Sequence, residues 1–240
     1  TLPIYINSSF LSAFSTEQFV GIIYTVGSIV TVLVFFATPS ILRIFGGYRT
    51  AIAFILLEFA SLIALAFLKS PALLIFFFIT SLAAIAIIGF TIDLFLENVS
   101  SDSKTGKIRG IFLTSVNMAW IISPLITSFI LTDSDYWKIY MGAAALLLPV
   151  IFIVKYNLKN FKDQNYNKTP LLKTVKEIWG VNDTRNIFMI SFLMHFFFAW
   201  MVIYTPLYLH NQMGFDWGQI GILFSVMLLP YVLTELPLGK

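Results

Sequence analysis

The feature that most constrains this chain is the length of its uncharged segments. Six stretches contain no Asp, Glu, Lys or Arg: residues 18–42, 70–92, 110–132, 139–154, 186–215 and 217–234. An apolar segment of about 18 residues or more is long enough to cross a bilayer as a helix. Only 11% of the 240 residues are charged, whereas soluble domains carry about 25%. The sequence therefore excludes a soluble domain and predicts a polytopic membrane protein.

The pattern of apolar runs predicts an all-α, polytopic membrane helix bundle with seven spans. These spans cover residues 18–40, 50–68, 71–96, 109–131, 136–155, 186–209 and 217–238. Cytoplasmic loops of membrane proteins are enriched in Lys and Arg. The predicted loops 41–49, 97–109 and 155–185, together with Lys240, hold all but two of the 15 Lys and Arg residues. We therefore expect these loops to be cytoplasmic and residue 1 to be external.

The long loop at residues 155–185 divides the chain. Its second part places apolar residues on one face of a short helix and lysines on the other, which is typical of a helix that lies along a membrane surface. A docking site for a partner is the alternative. We predict a transmembrane bundle over residues 1–155, a cytoplasmic central loop with an amphipathic helix over 156–184, and the start of a second bundle over 185–240.

Two segments of the chain resemble each other. Residues 20–40 align with 220–240 without a gap, and identical residues include Gly21 and Gly221. Just upstream, residues 3–7 are similar to residues 206–210. The repeat predicts two six-helix units, the first of which lacks its first helix, so we interpret the chain as a piece of a longer protein. Duplicated bundles with a site between the halves are typical of secondary transporters.

Three motifs resemble those of the major facilitator superfamily. The loop after the family's second helix matches at Ile41, Leu42 and Gly46, although Pro39 and Arg43 depart from its pattern. Residues 105–110 are similar to the turn before helix five, and residues 115–128 follow the antiporter motif of helix five with other small residues in place of glycine. The resemblance covers helices two to eight of twelve.

This resemblance implies a secondary active transporter in the cell membrane that works by alternating access. It implies three kinds of partner: a small-molecule substrate, the lipid bilayer, and a proton or another coupling ion. It also implies that the protein is monomeric. Efflux of an organic solute is our interpretation, and an uptake symporter for a sugar or metabolite is the alternative within the family. A seven-helix receptor is the alternative from another class.

Charged and titratable groups within a span are functional candidates because they are costly to insert. The proton-coupling candidates are Glu58, Asp93 and His195. The family uses an acidic residue of the loop after helix two, with basic partners, in a cytoplasmic latch. In this sequence the loop carries the arginine and the next cytoplasmic helix end carries the acidic residues. The cytoplasmic gate candidates are accordingly Arg43, Gly46, Arg49, Asp93, Glu97 and Arg109. The alternative for Glu58 is a structural role, with a hydrogen bond to a neighbouring helix. The alternative for the gate candidates is that they are ordinary interfacial charges, and for His195 it is a buried neutral histidine.

Polar and aromatic residues at helical spacing predict the face of a substrate cavity. The candidates are Tyr24, Ser28 and Thr31 in the first span, Asn117 and Trp120 in the fourth, and Trp200 and Tyr204 in the sixth. Aromatic faces with a few hydrogen-bonding groups suit a small amphipathic solute.

Other chemistries find no support in the sequence. It has no cysteine and only two histidines, so no metal site is predicted. Nucleotide-binding loops and the Gly-x-Ser-x-Gly and His-Glu-x-x-His motifs of hydrolases are absent from it. We therefore expect no enzyme activity, no cofactor and no nucleic-acid partner.

Overall fold

The computed structural model of the protein describes residues 4–13, 16–99, 105–130, 135–159, 161 and 171–238. Within these ranges the chain forms eight α-helices and no strand, which confirms the predicted fold class. The helices are α1 (Ile4–Ser12), α2 (Glu17–Phe67), α3 (Pro71–Val99), α4 (Thr105–Ile130), α5 (Tyr136–Asn157), α6 (Leu171–Gly180), α7 (Asn182–Asn211) and α8 (Trp217–Leu238).

Helix α2 is two helices joined at Gly46. A straight helix of 51 residues would be about 75 Å long, whereas the hydrocarbon core of a bilayer is about 30 Å thick. Gly46 has φ 77° and ψ 164°, a conformation that only glycine adopts without strain. The hydroxyl of Thr50, which is buried, donates a 2.7 Å hydrogen bond to the Gly46 carbonyl. The predicted loop 41–49 is therefore wrong in extent, because one glycine changes the chain direction without a loop.

Six of the seven predicted spans lie in helices of suitable length and apolarity. Five helices of the described chain are long and apolar enough to cross a membrane, and the longest of them, α2, contains two predicted spans. The last predicted span corresponds to α8, in which Trp217–Pro230 forms a shorter apolar helix. Helices α2 and α8 begin at Glu17 and Trp217, the same shift of 200 that aligns the two similar segments.

Helix α1 was not predicted, because its nine residues are too few to appear as a span. It is attached to other helices by three consecutive polar residues. Asn7 accepts a 3.0 Å hydrogen bond from Tyr140 on α5, and Ser8 lies 3.5 Å from the hydroxyl of Tyr24 on α2. Ser9 is hydrogen-bonded to Tyr136.

The helices pack in two groups that meet at α7. Helices α3 and α5 pack against α2, while α4 packs against α8. Leu207 of α7 is buried in the core formed by α1, α2, α3 and α5, and Val202 of α7 is buried with Ile220 and Phe224 of α8. Helix α6 contacts α7 through the edge-on rings of Trp179 and Phe188.

Candidate functional site

The crossing of α4 and α8 positions the site. The Ser225 hydroxyl lies 2.9 Å from the carbonyl oxygen of Ile121 on α4 and 2.9 Å from that of Gly221 on α8. Its single proton is shared between these two acceptors. Because Ser225 is buried, this bond fixes α8 in register against α4.

A cavity of about 320 Å³, here called the central cavity, lies next to this crossing. Its described lining residues come from α4, α7 and α8: Asn117, Trp120, Met194, His195, Phe198 and Leu228. None of these six residues is Asp, Glu, Lys or Arg. A mostly apolar wall with a few polar groups, at this volume, is typical of a small-molecule site.

The central cavity lies at the middle of the helices that form it. Asn117 is close to the midpoint of α4, His195 to that of α7, and Leu228 to that of α8. For helices that cross a bilayer, this depth corresponds to the membrane midplane. Secondary transporters bind their substrates at this depth.

The orientation of His195 is set by its own helix. Its Nδ1 lies 2.7 Å from the carbonyl oxygen of Ser191, one turn earlier. Since a carbonyl oxygen only accepts, Nδ1 carries the proton in this contact. In the neutral imidazole, Nε2 is then a hydrogen-bond acceptor.

Glu58 lies outside the central cavity, at the interface of α2 and α3. It is only 4% exposed and sits near the middle of the α2 segment that follows Gly46. The Ser81 hydroxyl on α3 donates a 3.0 Å hydrogen bond to Glu58 Oε1. Within the described residues Oε2 has no hydrogen-bond partner. The carboxyl group is thus attached to a neighbouring helix by one oxygen only.

Tyr204 lies against α2 at the end where α2 begins. A Cβ built on Gly21 would overlap the Tyr204 hydroxyl oxygen and would lie 3.1 Å from Cζ. Glycine at position 21 is what allows α7 to approach α2 this closely. One turn further along α7, Leu207 is buried in the core that also contains Val20 and Ile23.

The other predicted cavity residues lie elsewhere. Tyr24 is buried with its ring edge-on to Phe78 on α3, at a centroid distance of 5.3 Å. Ser28 and Trp200 are exposed, and the partly buried Thr31 donates to the Gly27 carbonyl of its own helix. The structure therefore brings Asn117, Trp120 and His195 together, and it does not place Tyr24, Ser28, Thr31, Trp200 or Tyr204 with them.

The predicted gate charges are exposed side chains. Arg43 and Arg49 lie on either side of the Gly46 turn, Asp93 and Glu97 near the end of α3, and Arg109 near the start of α4. Among the described residues no ion pair joins Arg43 to Asp93. The latch between them stays a prediction.

Three residues of the central cavity were not predicted: Met194, Phe198 and Leu228. They are apolar. An apolar residue of a membrane helix can face lipid, a protein core or a cavity, and the sequence does not distinguish these environments. Ser81 was also missed. A polar residue in an otherwise apolar span is the signal that could have identified it as a partner for Glu58.

Comparison with known proteins gives one family. A family model described as Major Facilitator Superfamily matches residues 1–240. Neither curated proteins nor solved structures gave a significant match. The resemblance inferred from the motifs is thereby confirmed.

Proposed function

The chain belongs to the major facilitator superfamily of membrane transporters, and we propose that it moves a small organic solute through the central cavity by alternating access. It is a multi-pass membrane protein. Family membership favours this function over the seven-helix receptor that the sequence left open.

The observation that carries the proposal is the position of the central cavity. It lies mid-helix where α4, from the proposed N-terminal bundle 1–155, meets α7 and α8, from the proposed C-terminal bundle 185–240. A site at the interface of two repeats can be exposed to either side when one bundle rocks against the other. The proposed central loop, 156–184, connects the two bundles.

We propose that α7 closes the external side of the protein. We propose that α2 begins outside and that the Gly46 turn lies in the cytoplasm, because Lys and Arg are concentrated in residues 41–49, 97–109 and 155–185. We propose that the packing of Tyr204 on Gly21, together with the burial of Leu207, closes the external end of the path to the central cavity. On the cytoplasmic side, Arg43 pairs with Asp93 or Glu97 when that side closes, and Arg49 and Arg109 lie at the same level.

The proposed energy source is a proton gradient, and the proposed direction is efflux. Glu58 supports the coupling because it is a carboxyl group at mid-membrane depth with one oxygen that lacks a hydrogen-bond partner among the described residues. A carboxyl group can carry one proton per cycle, and its bond to Ser81 links protonation to the packing of α2 on α3. Asp93 is the other group proposed to exchange protons. His195 lines the central cavity, and we assign it to solute binding instead.

The test is solute flux in proteoliposomes that contain the full-length protein. A panel of organic solutes is measured with and without a pH gradient, for the native protein and for Trp120→Ala. We expect the gradient to drive at least one solute, and Trp120→Ala to lower its rate by about tenfold or more, because an aromatic wall contributes a few kcal/mol of apolar burial.

Trp137→Ala is the matched control, because Trp137 is an exposed residue of α5 outside the central cavity. It should retain the native rate. Failure of the native protein to move any solute of the panel under either condition would refute the proposed function. A native rate in Trp120→Ala would show that transport does not pass through the central cavity.

A further inference from the structure

We infer that the central cavity binds an uncharged, flat aromatic solute that donates an N–H or O–H group to Nε2 of His195. This inference rests on the proposed function, because it assigns a substrate class to the same cavity. It excludes anionic, cationic and polyhydroxylated solutes.

The exclusion of charged solutes follows from the lining. None of the six described residues at the central cavity is Asp, Glu, Lys or Arg. The described lining offers a charged solute no counterion, so the hydration that such a solute loses on binding is not compensated. A sugar is excluded by the same reasoning, because among the six described lining residues only Asn117, Trp120 and His195 carry polar side-chain atoms.

His195 sets the requirement for a donor. His195 lines the central cavity, and its Nδ1 lies 2.7 Å from the Ser191 carbonyl oxygen. In the neutral ring Nε2 is the remaining nitrogen, an acceptor, and we assign the solute's N–H or O–H group to it. A solute that fills the cavity without donating to Nε2 leaves this acceptor desolvated and unpaired. His195 is exposed in this structure, so the bound solute itself has to cover it. A site that hydrogen-bonds a solute N–H or O–H group rejects analogues that lack that group.

The shape of the solute follows from the aromatic lining and from the volume. Trp120 and Phe198 present ring surfaces, which favour an aromatic solute stacked or edge-on against them. A volume of about 320 Å³ lies at the lower end of the range of about 300–1,000 Å³ that is typical of small-molecule sites. This space suits two or three fused rings.

Acridone provides the test, because it is flat, neutral and carries one N–H. N-Methylacridone lacks that donor, and acridone N-acetate adds a carboxylate. Binding of all three is measured by equilibrium dialysis to the full-length protein in lipid nanodiscs, with binding to empty nanodiscs subtracted. We expect acridone to bind about tenfold more tightly than N-methylacridone. The anion, which also lacks the N–H, should bind at least tenfold more weakly than N-methylacridone, because the two differ by the carboxylate.

His195→Phe keeps an aromatic ring and removes the acceptor. We expect it to abolish the preference for acridone while N-methylacridone still binds, which shows that the variant is folded. His210→Phe is the matched control. His210 is the other histidine, stacks on Trp217 and lies 2.8 Å from the Phe215 carbonyl, outside the central cavity. This variant should keep the native preference.

Equal affinity of acridone and N-methylacridone for the native protein would overturn the inference, as would tighter binding of the anion. A preference that survives in His195→Phe would also overturn it. These failures are separable from failure of the proposed function. Gradient-driven flux of other solutes without acridone binding refutes only the substrate class, whereas His195-dependent acridone binding without flux of any solute refutes only the transport.

Discussion

Replacing Gly21 with alanine should open the external side of the protein. The new methyl group would occupy the position of the Tyr204 hydroxyl oxygen, so Tyr204 has to move. Tyr204 is held on α7, and one turn away Leu207 is buried in the core beneath α1 and α2. The clash is therefore relieved when α7 withdraws from α2, which is the movement that external opening requires.

The size of the effect follows from the cost of overpacking. Forcing an extra methyl group into a close helix contact costs about 1–3 kcal/mol. If the contact exists only in the externally closed state, this cost falls on that state alone. Since 1.36 kcal/mol corresponds to a tenfold change in an equilibrium, Gly21→Ala should shift the ratio of open to closed states by between about fivefold and a hundredfold.

The assay uses the absence of cysteine from the sequence. A single Asn117→Cys in the central cavity is labelled from outside with a membrane-impermeant maleimide, and the labelling rate reports the population of the externally open state. Gly21→Ala should raise this rate by the same factor. Gly89→Ala is the matched control, because nothing lies within 4 Å of a Cβ at Gly89, and it should leave the rate unchanged.

The double variant Gly21→Ala, Tyr204→Phe tests the cause. Removing the hydroxyl leaves the ring carbon Cζ at 3.1 Å from the new methyl group, a contact that a shift of a few tenths of an ångström relieves. The slow native labelling rate should return. If Gly21→Ala labels at the native rate, or if Tyr204→Phe fails to restore slow labelling, Tyr204 does not close the external side.

Two further predictions concern Glu58 and Gly46. Glu58→Gln keeps an oxygen that accepts a hydrogen bond from Ser81 but cannot carry a proton, so gradient-driven flux should fall to the rate without a gradient while solute exchange persists. The control is Glu177→Gln at an exposed position, which should change neither rate. Full gradient-driven flux in Glu58→Gln would exclude Glu58 as the proton carrier. Gly46→Ala should destabilise the protein by about 1–3 kcal/mol, because alanine is strained at φ 77°. Gly89→Ala should not destabilise it. Thermal unfolding of both variants in nanodiscs is the measurement, and equal unfolding midpoints for the two variants would contradict the strain at Gly46.

Much of the helical architecture was predictable, because hydropathy reports directly whether a segment can cross a bilayer. Two details were not. The turn after the first span appeared as a loop, because hydropathy carries no information on the backbone angles that let Gly46 turn the chain alone. Helix α1 was missed because nine uncharged residues fall below the length that a span requires.

The site was predictable only in part, and the reason is physical. Periodicity shows which face of a helix is polar, but tertiary packing decides what that face meets. Asn117 and Trp120 were predicted from their shared face and line the central cavity. Tyr24 was predicted by the same reasoning, yet it packs against Phe78 beneath Ser8. The three apolar lining residues gave no signal at all.

Two of the contacts between the proposed bundles differ in kind, and the difference indicates how the bundles move. Helices α4 and α8 are joined by the buried bond from Ser225 to Ile121, whereas no hydrogen bond in the described chain joins Tyr204 to α2. A packing contact is lost without leaving a buried polar group unpaired, but breaking the Ser225 contact removes a cross-helix bond. Alternating access requires one contact that persists and one that breaks. The α4–α8 crossing is therefore the expected pivot, and the Gly21–Tyr204 contact is the one that separates.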